Sequence, residues 1–186
     1  VVVDNSSAFR LDPTTPLVVP EVNPQAVKHH YGVLANPNCS TIILAVALWP
    51  LHRENRIRRA VVATYQAASG AGARALDELR DQTRIVLDGG LPAPEVFDEP
   101  CAFNVFSHNS PIGEDGYNIE ETKMVWETRR IFEEPHFQVT ATCMRVPVMR
   151  AHTEAIAIEF ENPITLHWAY EQLRQAPGLM LVDDRD

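Results

Sequence analysis

The sequence predicts an α+β protein with a mixed, largely antiparallel sheet and helices on one face. Two strand-like stretches, 137–146 and 152–160, follow each other with no helix between them, which separates this chain from a regular βαβ alternation. The second of these, "HTEAIAIEF", alternates apolar and polar residues as a half-buried strand does. With 186 residues, 45% hydrophobic and 22% charged, the chain has the composition of a soluble globular protein, long enough for one large domain or two small ones.

The elements are justified in chain order. Val1 to Val3 is a β-branched run and reads as a strand end, opening in mid-element as though it were the last strand of something larger. Residues 9–22 are proline-rich and read as a loop. Pro24 to His29 reads as a short helix, with Asn23 as N-cap and proline at its first position. Ser40 to His52 is a helix that follows Asn38. Its apolar residues run nearly all round, which predicts burial, and Pro50 marks its end or a kink. Arg59 to Ala67 is β-rich. Ser69 to Gly72 is a small-residue turn, and Ala73 to Leu87 an amphipathic helix. Leu91 to Ser110 reads as irregular. Ile119 to Phe132 is a helix capped by Asn118. The strands at 137–146 and 152–160 are expected to pair with one another across "RVPVMRA". Pro163 to Gln175 is an amphipathic helix capped by Asn162, and Leu179 to Val182 a final short strand.

Charge and composition exclude several classes of function. The formal net charge is −9, with a sequence pI of about 5.2. Such a surface lacks the clustered Lys and Arg that nucleic acid and anionic membranes require. No stretch reaches the roughly 18 to 20 apolar residues of a membrane span, and no cationic leader opens the chain. Three scattered cysteines form no disulfide framework, so a reducing, cytoplasmic setting is expected. HxH, HExxH and CxxC spacings are absent, so no metal site is expected.

Cys39 is the strongest chemical signal. It lies in "NPNCST", at the start of the 40–52 helix. A helix N-terminus lowers a thiol's pKa, and its free N–H groups suit an oxyanion. A small buried residue is the ordinary alternative for any free cysteine, and both readings stand at this point. Cys101 and Cys143 lack such a setting, and Cys143 reads as core. His152, at the start of a strand after a turn, is the best candidate base. The histidines at 29, 30, 52, 108, 136 and 167 read as surface or structural. Arg145 ends an apolar strand, and its planar fork suits a carboxylate. Glu120 and Lys123 share a helix face, where a solvated ion pair is the plain alternative. Arg10 reads as an exposed-loop cation. Gln66 closes the 59–67 strand just before the small turn, where a flat ring or a phosphate could approach the backbone.

Together, "VVDNSSAFR", "VPEVN", "NPNCST", "YQAASGAG", "EETKMVWETRRI" and "CMRVPVMRAHTEAI" resemble the aspartate-β-semialdehyde dehydrogenase family, in the family's order and over nearly the whole chain. The resemblance implies the catalytic-domain fold of glyceraldehyde-3-phosphate-dehydrogenase-like enzymes. It implies NADP-dependent reductive dephosphorylation of β-aspartyl phosphate through a cysteine thioester, in the biosynthesis of lysine, threonine and methionine. Cys39 resembles the family's nucleophile, Gln66 the residue that orients substrate, and His152 the acid/base. Arg145 resembles the clamp on the substrate carboxylate and Glu120 the reader of its amine. Lys123 and Arg10 resemble phosphate-site cations, with Asn38 nearby. Ser69, Gly70, Ala71 and Gly72 resemble the turn that approaches the nicotinamide nucleotide.

A homodimer is implied, with a small-molecule substrate and phosphate as its other partners. The family's glycine-rich pyrophosphate loop is missing, as are its last strands and C-terminal helix. The chain is therefore expected to be a domain trimmed at both ends, inactive alone, with 1–35 a remnant of the nucleotide-binding domain and its connecting loop and 36–186 the catalytic and dimerisation domain. Two alternatives remain: a non-catalytic dimerisation or interaction module, and an enzyme like N-acetyl-γ-glutamyl-phosphate reductase.

Overall fold

The computed structural model describes residues 1–183. In order it holds β1 (Val2–Asp4), a 3₁₀ turn (Pro24–His29), β2 (Val33–Ala35), α1 (Cys39–His52), β3 (Ile57–Gln66), a second 3₁₀ turn (Ala68–Ala71) and α2 (Ala73–Leu87). These are followed by β4 (Phe106–Ser107), α3 (Ile119–Ile131), β5 (Gln138–Arg145), β6 (Thr153–Phe160) and α4 (Leu166–Gln175). The α+β class holds. β1 and β2 form a parallel pair, and four strands form a sheet of order β4-β5-β3-β6, in which β4 and β5 are antiparallel.

β5 and β6 are not neighbours, contrary to the pairing expected from their adjacency in sequence; β3 lies between them. The link that follows β5 crosses the end of β3 instead. Val146 N–H donates to Gln66 O at 3.1 Å, and Ala68 N–H donates to Val148 O at 2.9 Å. Alternation fixes which face a strand buries but carries no information about its neighbour.

The chain divides into two compact units. The first comprises Val1–Val61, Lys123–Thr140 and the chain from Ala157 onward; the second comprises Val62–Thr122 and Ala141–Ile156.

In the first unit, Asn38 caps α1, accepting from Ser40 N at 3.0 Å and Thr41 N at 3.3 Å. Leu44, Ala45, Leu48 and Leu51 of α1 are buried, whereas Ile43 is exposed, so burial is one-sided rather than all round. Pro50 lies within the last turn, and the helix ends at His52. His52 packs among Trp49, Phe132 and Phe137, nearly parallel to Phe132 at 5.0 Å. Its Nδ1 accepts from Ile57 N–H at 3.1 Å, so the proton of the neutral ring sits on Nε2 and faces Glu134 at 3.2 Å. Asn23 does not cap the turn at 24–29. Its side chain ties the preceding loop, accepting from Val19 N and donating to Leu17 O.

α4 begins at Leu166, not Pro163. Thr165 caps it by accepting from Trp168 N, because the Asn162 side chain is committed to Asn55. Residues 179–182 form no strand, having no partner strand among the described residues.

In the second unit, α2 has the predicted bounds and a buried core of Ala75, Leu76 and Leu79 against Phe97, Cys101 and Ala102. Its polar side chains hold the irregular segment that follows. Glu78 accepts from Glu95 N at 2.9 Å and Val96 N at 2.6 Å, and Gln82 Oε1 accepts from Cys101 N and Ala102 N. Asn118 and Glu121 cap α3 reciprocally. Asn118 Oδ1 accepts from Glu121 N, and Glu121 Oε2 accepts from Asn118 N, both at 2.9 Å. A discordant residue on β6 is Glu154. Both carboxylate oxygens are buried without a hydrogen-bond partner, and burial pushes its pKa up to about 8.

Two pH dependences of stability follow. Burial lowers the pKa of His52, and protonation at Nδ1 would break its bond from Ile57. The unfolded chain then binds more protons than the native one below the unfolded value of about 6.5. The midpoint of thermal unfolding is expected to fall from pH 7 to pH 5, and a His52→Phe variant to show a flatter slope over that range. Glu154 has the opposite sign. Its native pKa is raised, so stability is lost as pH rises from about 4.5 towards 8. A Glu154→Met variant is expected to exceed the parent in unfolding midpoint at pH 8, with a smaller margin at pH 5. A margin that grows toward acid would contradict this assignment.

Candidate functional site

The first unit holds Arg10, Asn38, Cys39 and Lys123. Cys39 is the first residue of α1 and is exposed, whereas Cys101 and Cys143 are buried. Burial raises both buried thiols, Cys143 to about 12. The loop in front of Cys39 is pinned from α3, where Glu127 Oε2 accepts the Asn38 backbone N–H at 2.6 Å. Glu127 is 1% exposed. Burial raises its pKa, against the lowering effects of the Asn38 amide, Arg10 and Lys123.

Arg10 is buried, not an exposed-loop cation. Its Nη1 donates to Glu127 Oε1 at 3.4 Å, Nε to Asn36 O at 2.9 Å and Nη2 to Asn5 O at 3.0 Å. The expectation of exposure failed because the partners of Arg10 lie far away in sequence. Arg130 reinforces the same loop by donating to the carbonyls of Arg10, Asp12 and Thr15. Sequence reasoning missed Glu127. The available signal was a carboxylate seven residues after Glu120, hence on the same helix face, next to the fully buried Met124 and Thr128.

The second unit brings together Gln66, Glu120, Arg145, His152 and the turn at 69–72. Gln66, Glu120 and Arg145 are 1%, 5% and 6% exposed. Gln66 Nε2 donates to Glu120 Oε1 at 3.4 Å. The turn is fixed from the opposite side, where Ala68 N and Ser69 N donate to Val148 O and Met149 O. Just before His152, Ala151 has φ 69°, a left-handed conformation that side chains other than glycine rarely adopt.

The His152 ring is oriented by the backbone. Ala67 N–H donates to Nδ1 at 3.0 Å, so the neutral ring carries its proton on Nε2. Nε2 faces Gly70, where an added Cβ would lie 3.0 Å from it, 2.9 Å from Cε1 and 3.5 Å from Arg145 Nη1. A Cβ at 70 would therefore press on the His152 ring, which would have to shift to admit it. Burial and then the positive charge of Arg145 hold His152 below the usual histidine pKa.

Arg145 is supported on three sides. Its guanidinium lies 5.3 Å from the centre of the Phe97 ring, Nε donates to Asn109 Oδ1 at 3.4 Å, and Nη2 donates to His108 Nε2 at 2.9 Å. His108 therefore belongs to this cluster, in the hydrogen-bonded structural role that is one of its two sequence readings. Among the described residues, no group of three or more His, Cys, Asp or Glu could hold a metal ion.

Residues 48–186 match the family model described as semialdehyde dehydrogenase, dimerisation domain, and residues 1–30 match the model described as semialdehyde dehydrogenase, NAD binding domain. Curated relatives include the aspartate-semialdehyde dehydrogenase of Synechocystis, 54% identical over 99% of this chain and 54% of the relative. The enzyme of that name from Aquifex aeolicus is 48% identical over 99% of this chain and 55% of its own length. A solved structure of aspartate semialdehyde dehydrogenase II from Vibrio cholerae, complexed with ASA, superposes at a TM-score of 0.97. It has 43% identity and is matched over 100% of this chain and 56% of that one. A Candida albicans enzyme solved with NADP superposes at 0.68, with 25% identity, over 94% of this chain and 48% of that one. The chain spans about half the length of the curated relatives it matches. On the match over residues 48–186, the chain belongs to the semialdehyde dehydrogenase family.

Proposed function

We propose that this chain supplies the catalytic and dimerisation part of an aspartate-semialdehyde dehydrogenase, acting on β-aspartyl phosphate as a homodimer in the cytoplasm. The observation that carries the reading is the setting of Cys39: an exposed thiol at the first residue of a capped helix, whereas the other two cysteines are buried. Its partners fit the chemistry. The Cys39 thiolate forms a bond to the acyl carbon of β-aspartyl phosphate, and phosphate leaves with its electron pair. The backbone N–H groups of the first turn of α1 are suited to the oxyanion.

A nicotinamide cofactor, when bound, supplies the hydride that takes the thioester to the oxidation level of the aldehyde. Cys39 then leaves as thiolate and frees aspartate semialdehyde. His152 offers a proton from Nε2, so it enters as the acid that meets charge developing on oxygen. Gln66 orients substrate, Arg145 binds its carboxylate and Glu120 its amine. Lys123 and Arg10 are the cations for phosphate, Arg10 acting from within its contact to Glu127.

The turn at 69–72 fits a flat nicotinamide ring. Gly72 has φ 93°, and no atom lies within 4 Å of where its Cβ would be, so the backbone there can be approached closely. Ser69, Gly70 and Ala71 complete that turn. NADP, rather than NAD, is the reading favoured by the resemblance and by the Candida albicans relative solved with it.

Two experiments test this. Iodoacetamide at pH 7.5, followed by peptide mass spectrometry, is expected to label Cys39 at least about tenfold faster than Cys101 or Cys143. Equal rates would remove the basis for calling Cys39 the nucleophile. The chain joined to a nucleotide-binding half from a relative is expected to form NADPH from aspartate semialdehyde, NADP and phosphate. Cys39→Ser should lower kcat by about a thousandfold or more. A folded, dimeric fusion with no phosphate-dependent NADPH formation would favour the non-catalytic module.

A further inference from the structure

The ring of His108 has a partner on each nitrogen. Nε2 lies 2.9 Å from Arg145 Nη2, and Nδ1 lies 3.1 Å from Ser110 Oγ. A guanidinium has no lone pair, so Arg145 donates and His108 Nε2 accepts. The proton of His108 is then on Nδ1 and is donated to Ser110 Oγ. The same oxygen accepts the backbone N–H of Glu120 at 3.2 Å. A continuous hydrogen-bonded path therefore runs from Arg145 through His108 and Ser110 to the main chain of Glu120. The His108 backbone is fixed as well, its N–H donating to Cys143 O at 2.8 Å, two residues before Arg145 on β5.

We propose that His108 is a positioning residue that holds the Arg145 guanidinium at a set offset from Glu120, so that a carboxylate and an amine on one carbon skeleton are read together. The proposal rests on the reading of Arg145 and Glu120 as the carboxylate and amine binders. The choice of a neutral imidazole has a physical reason. An aspartate or glutamate at 108 would pair with the guanidinium and compete with a substrate carboxylate, and a lysine would repel it. Three of the groups that contact the Arg145 fork, His108, Asn109 and Phe97, are uncharged, so these three orient it without competing for it as a carboxylate would. His108 touches no reacting atom in this scheme and acts through Arg145.

The test uses the full chain with two readouts. The first is the tautomer of His108, from ¹⁵N-detected ring correlations at neutral pH, expected to show the proton on Nδ1. The second is NMR titration with L-aspartate, and with β-alanine, which lacks the α-carboxylate. His108→Ala is expected to weaken L-aspartate about tenfold, as loss of a hydrogen bond to a charged group does, and to leave β-alanine unchanged. His108→Gln, which keeps an acceptor toward Arg145, should restore affinity to within about twofold. Both variants should unfold within a few degrees of the parent. If His108→Ala fails to fold, His108→Asn keeps the reach to Ser110, drops the acceptor toward Arg145 and reads the same loss.

A proton found on Nε2, or L-aspartate affinity unchanged in the folded variants, overturns the proposal. Should the parent not distinguish L-aspartate from β-alanine, with Arg145→Ala changing nothing, the carboxylate reading falls and the proposed use of His108 falls with it. That failure is told apart by a tautomer that still places the proton on Nδ1.

Discussion

A buried carboxylate meeting a backbone amide is the contact on which the exposed thiol depends. Glu127 projects from α3 into a dry site and accepts the Asn38 N–H. An ionised carboxylate there is costly unless its oxygens are occupied, and the second oxygen is taken by Arg10. Arg10 in turn holds the carbonyls of Asn5 and Asn36. One charged group thus ties together the 5–10 loop, the 36–38 loop and the start of α1. The Asn38 side chain caps the helix. The loop bearing Cys39 is consequently fixed through its main chain at Asn36 and Asn38.

The second unit uses the same economy with neutral groups. Ala67 N–H sets the His152 tautomer, Gly70 leaves room for the ring, and His108, Asn109 and Phe97 set the plane of Arg145. Most of these restraints are main-chain donors or uncharged side chains. After burial, the charge of Arg145 helps to hold the His152 pKa down, against the opposing carboxylate of Glu120. The cluster is thus held by the protein's own groups, an arrangement of the kind that reduces reorganisation during a reaction.

The sequence revealed this architecture unevenly. α2 was legible to the residue because a 3.6-residue apolar stripe bounded by glycine and aspartate admits one reading. The α1 cap and the place of Cys39 at the start of that helix were legible for a similar local reason. Sheet order was not, because β3 enters between β5 and β6 from 70 residues upstream and alternation is silent about neighbours. The start of α4 shifted because Asn162 met Asn55, a contact 107 residues away. Arg145, Gln66 and His152 were found through motifs. Glu127 and His108 were not, because their partners lie 89 and 37 residues away; helix periodicity places Glu127 on the face of Glu120 but does not name that partner.

The segment between α2 and β4 has a consequence for how this protein can vary. Its path is held by four backbone amides, at 95, 96, 101 and 102, which donate to Glu78 and Gln82 on the helix. The side chains at 95, 98 and 99 take no part in these four bonds. Mutational drift there is therefore cheap, with one chemical exclusion: proline at any of the four positions removes a donor and leaves a buried acceptor short. Phe97 keeps its seat beneath Arg145 throughout. The surface of this loop can be rewritten between lineages while its geometry, inherited from two residues of a neighbouring helix, stays the same.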